Sequence, residues 1–514
     1  MRPFHILLVL PALSSLVASQ QIWDIWQTTW NGTNLFKALN PRPPLDFVTP
    51  GPIGAADIVV SHSTIYQEIV GFGATLTDSS ALLLNNLKTK NPANYWSLLS
   101  YLFDAKEAAN AAGLSYLKLP LGATDFSAEA YTFADVPNDT CLKEFDINNA
   151  PSYIFSVARD ILSVNSAMKF HVVPWSPPAW MKEGNKLNGG ALRTNMTSVY
   201  ANYILRALQG LKLNGINVYS VAIQNEPEVN NPTYPSSTMS PLTEAKIAMA
   251  LRPLLKENGF PAVKLIGSES NWSTALDYPV ELMQVGCEHF DGVSFHCYQG
   301  NVDQQGEFST RYPSKEIYMT ECSGIRGTDW WNDIKWYTDN IFIGALEHNA
   351  KGALMWNLAL DGSGNPKYPG TRSCASPGCR GVVTINSDGT WTVNQEYYMM
   401  AQVSKATIPR DIDGPSGKRI KVDVNGDLGW SLRVGAFMTE RKNPTDWLRY
   451  SLVVLNCEQT NKLQATYTFP VGLTTLWWYA PTSVSLDDEP QLPAFSEHEG
   501  VQTAFEFMDQ SEAY

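Results

Sequence analysis

Positive charge is scarce in this 514-residue chain: 37 Lys and Arg stand against 50 Asp and Glu, a formal net charge of −13. A chain this acidic repels phosphate backbones, so no nucleic-acid partner is expected. Charged residues of both signs make up only 17%, against about 25% in an average soluble protein. Together with 44% apolar residues, this excludes a disordered chain or a coiled coil and leaves ample material for a large core. Histidine and cysteine are few, seven of each. They form no CxxC pair, no HExxH and no clustered ligand set, so no metal is expected. No GxGxxG or phosphate loop opens a helix, so no nucleotide cofactor is expected either. Beyond the N-terminus no apolar run approaches the roughly 20 residues of a membrane span, and the polar C-terminus lacks a lipid-anchor signal.

What is present begins with an export signature. Arg2 precedes an apolar stretch from Ile6 to Val17, and Val17-Ala18-Ser19 offers small residues for cleavage. Residues 1–19 read as a secretory signal peptide. Four sequons follow, at Asn31, Asn138, Asn195 and Asn271, and support a secreted, extracellular glycoprotein. After export, an odd number of cysteines leaves at least one thiol unpaired within the chain. Cys374 and Cys379 flank a short Pro/Gly loop and are the expected disulfide. A monomer is expected.

Eight short β-rich runs end in polar or Gly/Pro residues: 68–74, 114–121, 169–174, 218–224, 263–267, 292–296, 316–320 and 352–357. Helix-period segments lie between them at 94–112, 152–164, 198–213, 241–258 and 331–348. Eight strands alternating with helices predict an α/β fold of the (β/α)8 TIM-barrel type over residues 66–400. After residue 401 the pattern becomes strictly alternating, at 419–424, 429–436, 450–455, 465–469 and 475–479. This predicts a fused antiparallel β-sandwich side domain over 401–484. Segment 20–65, through a strand at 55–61, adds to it from the other end of the chain. Residues 485–514 read as an acidic, disordered tail, with eight acids and no Lys or Arg from Asp487 onward.

In such a barrel the chemistry sits at the C-terminal ends of the strands. Two ends offer an acid: Gln224-Asn225-Glu226-Pro227 after the fourth candidate strand and Thr320-Glu321-Cys322 after the seventh. Strands four and seven face each other across the mouth. Two carboxyl groups opposed across a cleft are what glycoside cleavage needs, one protonated to donate to the leaving oxygen and one ionised to attack the anomeric carbon. Asp125 can accept hydrogen bonds from sugar hydroxyls, and Asn225 can reach a 2-hydroxyl. Trp175 and Trp356 offer flat faces to pyranose C–H groups. His296 and Tyr298, two residues apart, point to one side.

These residues sit in a set of motifs that resembles glycoside hydrolase family 30, from about Trp23 to about Pro481. The pieces are Gly71-Phe72-Gly73-Ala74, Pro120-Leu121-Gly122-Ala123-Thr124-Asp125, Pro174-Trp175-Ser176-Pro177-Pro178-Ala179-Trp180, Gln224-Asn225-Glu226-Pro227, Phe295-His296-Cys297-Tyr298, Thr320-Glu321-Cys322 and Trp356-Asn357-Leu358. The resemblance implies a retaining hydrolase with Glu226 as acid/base and Glu321 as nucleophile. It also implies Asp125, Trp175, Asn225, His296, Tyr298 and Trp356 around the sugar. One departure is Lys118, where many relatives carry Arg. Lys supplies the charge without the planar bidentate fork.

The Trp23–Trp30 opening and the loop 361–380 look like secreted fungal members that cut β-1,6-glucan, which makes a β-glucan polysaccharide the expected partner. Trp330 and Trp331, just past the nucleophile strand, are expected to form a platform for further glucosyl units or to pack on a helix face. A glucosylceramidase or exo-β-glucosidase, a xylanase, and a non-catalytic glucan-binding cell-wall protein stay open as alternatives.

Overall fold

In the computed structural model the described residues are 21–39, 44–46, 56–427, 429–457, 463–464, 468–469, 472–480 and 508–509. The expected signal peptide, 1–19, lies outside them. So does the expected tail, 485–514, except for Met508–Asp509, which pairs with Leu463–Gln464.

Eight parallel strands form the barrel: β1 (Gly71–Ala74), β2 (Tyr116–Pro120), β3 (Lys169–Val173), β4 (Val218–Ala222), β5 (Lys264–Asn271), β6 (Gly292–His296), β7 (Glu316–Glu321) and β8 (Ala350–Met355). From β2 to β8 each strand pairs with the next in sequence, and β8 returns to β1. The seam between β1 and β2 closes through Ser115 N–H to the Phe72 carbonyl (3.2 Å) and Leu76 N–H to the Lys118 carbonyl (2.9 Å). Close approach at this seam requires Gly73, because a Cβ there would lie 1.8 Å from the Tyr116 carbonyl oxygen.

Period-two alternation sorts the strand residues. Leu117 and Leu119 face outward into the core shared with the helices. Tyr116, Val173, Ala222, Ile266, Tyr318 and Leu354 fill the interior. The floor is aromatic: Tyr116 meets the Tyr219 ring edge-on at 6.2 Å, and the Tyr219 and Tyr318 hydroxyls are 3.1 Å apart.

The helices follow local signals. Asp78–Lys90, which the sequence reading did not place, is capped by the Thr77 hydroxyl and ends on Lys88 and Lys90. The helix expected over 94–112 is Pro92–Phe103 and stops at an extended Asp104. The one expected over 331–348 breaks into Trp330–Tyr337, a wide turn at Thr338–Phe342 and Gly344–Glu347.

The second unit is an antiparallel sheet in the order Lys37–Ala38, Gln21–Thr29, Gly472–Ala480, Leu448–Asn456, Leu432–Thr439, Lys418–Asn425, Asp57–Glu68. Strands from both ends of the chain therefore meet in one sheet. Alternation buries both faces. Leu452 and Val454 join one apolar cluster with Ile22, Ile58 and Val434. Val453, Leu455 and Trp477 join the barrel core. Helix Gln395–Thr407, buried from Glu396 onward, lies between barrel and sheet. Its Lys405 donates to the carbonyls of Glu107 (2.9 Å) and Ala109 (2.6 Å) and lies over the rings of Trp26 and Trp477.

Trp477 is fully buried at this junction. Trp477→Ala is expected to cost about 3–5 kcal/mol through the cavity it leaves, read as a lowered midpoint in chemical denaturation.

Candidate active site

The site is built on Lys118, in the middle of β2 and fully buried. Its ammonium lies 2.7 Å from Glu269 Oε1 on β5 and 2.9 Å from Glu321 Oε2 at the end of β7. It also donates to Asn225 Oδ1 at 3.3 Å and sits 4.9 Å from the centre of the Trp175 ring. Burial lowers the Lys118 pKa, but the two carboxylates outweigh it and the net shift is upward. Glu269 shows the complement: burial opposes its charge, yet Lys118 and His171 hold its carboxyl well below the usual range. His171 Nε2 lies 3.2 Å from Glu269, and the Ser294 hydroxyl donates to it as well.

Glu226 stands just past β4 with φ +43°, a left-handed conformation that costs a non-glycine residue energy and is concentrated at functional sites. Its N–H is fixed by the Glu269 carbonyl at 2.8 Å, and its Oε1 lies 3.1 Å from His296 Nδ1. His296 is fully buried. Burial and the Lys118 charge lower its pKa, but Glu321, Glu226 and Glu269 outweigh them and raise it to about 9. Glu321 Oε1 accepts from the Tyr298 hydroxyl at 3.0 Å. Tyr298 is 42% exposed as a residue, with its hydroxyl turned inward. Donor atoms of Glu226, His296 and Glu321 all lie within 4.8 Å of one another. This is a spacing that could hold a metal ion, but Glu321 already pairs with the Lys118 ammonium and Glu226 with His296.

The cavity above has a volume of about 400 Å³. Asp125, Trp175, Asn225, Glu226, Tyr298, Glu321 and Trp356 all line it, and His296 lies beneath. The eight residues singled out in the sequence therefore converge. Trp175 and Trp356 stack at 5.1 Å and 21°. Asp125 accepts from the Ser373 hydroxyl at 2.5 Å. Burial pushes its pKa up to about 7, and Glu321 and Glu226 add to the rise.

Several contributors were missed. Glu269 lies beyond residue 267, where the sequence reading ended the fifth strand. The strand runs on to Asn271, and an extra residue at Ser268 (φ +52°) shifts the register between β5 and β6. Such a bulge re-aims the residues after it, so strict alternation does not find Glu269. Tyr234, Ser323, Ile325 and the loop from Ser373 to Cys379 form the remaining wall. That loop is closed by the expected Cys374–Cys379 disulfide. A second bridge, Cys297–Cys322, joins the ends of β6 and β7 beside Tyr298 and Glu321. It was not foreseen, because only folding brings those ends together.

Of the two roles open for Trp330 and Trp331, the structure shows packing and not a platform: Trp331 is 7% exposed within the core and Trp330 packs edge-on against Tyr398 at 5.2 Å. The sequon asparagine Asn271 is buried at 9% exposure, and its Oδ1 accepts from the Tyr298 N–H at 3.0 Å.

A closed parallel barrel with two glutamates opposed across its mouth and stacked tryptophans beside them defines an O-glycosyl hydrolase. Residues 69–405 match the glycosyl hydrolase family 30 TIM-barrel domain, and the chain belongs to that family. It is 29% identical over 376 residues to an endo-1,6-β-D-glucanase of Trichoderma harzianum, covering 70% of this chain and 73% of that one. It is 26% identical over 332 residues to the lysosomal acid glucosylceramidase of Mus musculus, covering 59% and 62%. A solved endo-β1,6-glucanase structure superposes with a TM-score of 0.76 at 25% identity, over 89% of this chain and 99% of that one.

Two expectations follow. Asp78 and Glu244, like Asp125, have pKa values raised by burial from the ordinary carboxyl range to about 7. Raised carboxyl pKa values make the folded state hold more protons than the unfolded chain between about pH 4 and 7. The stabilisation is full below the unfolded pKa and lost as pH rises through the folded one. The thermal midpoint should fall from pH 5 to pH 7, and Asp78→Asn should flatten that slope. Glycopeptide mapping of secreted protein should find no glycan at Asn271.

Proposed function

We propose that this enzyme is a secreted, monomeric, retaining β-glycosidase that cleaves β-1,6-linked glucan within the chain. The observation that carries the mechanism is the approach of the Glu226 and Glu321 carboxylates to within 4.8 Å. An inverting pair must leave room for water and stands roughly 6.5–9.5 Å apart, whereas a retaining pair stands roughly 5–5.5 Å apart.

Glu321, held by Lys118 and Tyr298, attacks the anomeric carbon. Glu226 gives its proton to the glycosidic oxygen, the C1–O bond breaks, and the leaving chain departs as an alcohol. The glycosyl ester on Glu321 is then opened by water, whose proton returns to Glu226, and the sugar leaves with its original configuration. His296 donates to Glu226 Oε1, which leaves the other oxygen to face the substrate. The Asn225 amide, its oxygen already on Lys118, donates to the 2-hydroxyl. Asp125 binds sugar hydroxyls, and Trp175 and Trp356 cover the pyranose face.

The linkage is supported by the fungal endo-1,6-β-D-glucanases among the relatives, including one of Aspergillus fumigatus at 29% identity over 364 residues, covering 67% of this chain and 71% of that one. Export is supported by the apolar N-terminal stretch and by the exposed sequon residues Asn31, Asn138 and Asn195. No helix among the described residues is long and apolar enough to cross a membrane.

Linear β-1,6-glucan should yield short β-1,6-linked oligosaccharides early in the time course, first seen by NMR as the β-anomer. Glucose alone, or ceramide from glucosylceramide, would overturn the endo-glucanase reading, and the α-anomer would overturn retention. Glu226→Gln should lose roughly 10²–10⁴-fold in kcat and recover with azide as a β-glucosyl azide. Glu321→Gln should lose at least as much, without such rescue, while still binding glucan.

A further inference from the structure

A second buried lysine lies outside the catalytic constellation. Lys182 is fully buried, and desolvation, with no neighbouring carboxylate offsetting it, moves its pKa down to about 7. A buried amine without a counter-charge is costly, and its bonds show what holds it there. The Lys182 Nζ atom lies 2.8 Å from the Ser176 hydroxyl, 2.8 Å from the Leu187 carbonyl and 2.6 Å from the Ser236 carbonyl. Ser176 follows Trp175 in the loop after β3. Ser236 is two residues beyond Tyr234 in the loop after β4. As a cation, Lys182 donates all three bonds. As a neutral amine it donates to the two carbonyls and accepts from the Ser176 hydroxyl. The knot is satisfied in either state.

The two loops are further interlocked. The Gly189 N–H donates to the Ser236 hydroxyl at 3.2 Å, and Asn188 pairs with Pro235. The Thr233 hydroxyl accepts from the Arg372 N–H at 3.1 Å, next to Ser373, which donates to Asp125. Tyr234 projects from this assembly into the cleft and packs on the apolar cluster of Trp175 and Trp356.

We propose that Lys182 is a positioning residue that fixes Tyr234 as a wall of the sugar-binding cleft and thereby sets substrate affinity. It touches neither glutamate, so removing it moves KM and spares the bond-breaking step. This inference builds on the glycosidase reading but not on the linkage.

The test measures Lys182→Met, Tyr234→Ala and the double variant on linear β-1,6-glucan and on 4-nitrophenyl β-glucoside. Lys182→Met should raise KM about tenfold with kcat within about threefold. Tyr234→Ala should do the same, and the double variant should be no worse than either single, because both remove one interaction. Ser176→Ala, which deletes only a hydroxyl, should raise KM about threefold and serves if Lys182→Met does not fold. A lowered thermal midpoint with unchanged KM, or KM effects that add with Tyr234→Ala, would overturn the proposal. If the wild-type enzyme cleaves the aryl glucoside but not the glucan, the linkage reading fails and the KM comparison is made on the glucoside.

Discussion

The Lys118 ammonium lies at the centre of the barrel between two buried carboxylates and is a partner that both share. Taking each ion out of water costs several kcal/mol, and only close pairing and full hydrogen bonding offset that. Glu269 meets the condition through Lys118, His171 and Ser294, and Glu321 through Lys118 and Tyr298. Remove the ammonium and two acids are left in the same small volume with His171 and His296 beside Glu269. Strands β2, β3, β5, β6 and β7 all contribute groups to this network, so the charge balance also fixes the relative height of those strands.

Aromatic layers insulate that network. Tyr116, Tyr219 and Tyr318 form the floor, and the stacked Trp175 and Trp356 form part of the rim. Between them lies a polar layer that water would otherwise screen. Low dielectric strengthens every electrostatic contact in it. Three departures from regular backbone serve the same layer. Glu226 and Asn357 adopt positive φ at strand ends, and Ser268 bulges β5. Each turns a side chain or loop that regular strand geometry would send elsewhere.

The junction with the antiparallel sheet follows a different logic. There a lysine, Lys405, is buried against tryptophan rings and backbone carbonyls instead of acids. The sheet carries apolar residues on both faces, because one face closes its own core and the other covers the helix that ends the barrel. Lys182 repeats this carbonyl-bound arrangement near the cleft. Of the three buried lysines among the described residues, two thus organise loops and a junction, and Lys118 organises the acids of the cleft.

Residue patterns alone made the barrel strands legible, because each is a short apolar run cut off by Gly, Pro or a polar residue. They also made both glutamates and their aromatic neighbours legible, because these fall directly at strand ends. Fourth and seventh strands stand three places apart in an eight-stranded closure, so counting puts Glu226 and Glu321 at well-separated points of one mouth. The sequence could not disclose which distant groups share a charge. Glu269 sits past a bulge that breaks the alternation. Tyr234 and Ser373 come from loops whose path is set by Lys182 and a disulfide. Cys297 and Cys322 are neighbours only because β6 and β7 are. Trp330 and Trp331 show the converse, since helical periodicity does not say which face meets the core. Local patterning determined the strands and the positions of the two opposed glutamates. The ionic network and the cleft wall were decided by tertiary structure, because they rest on contacts between strands and loops far apart in the chain.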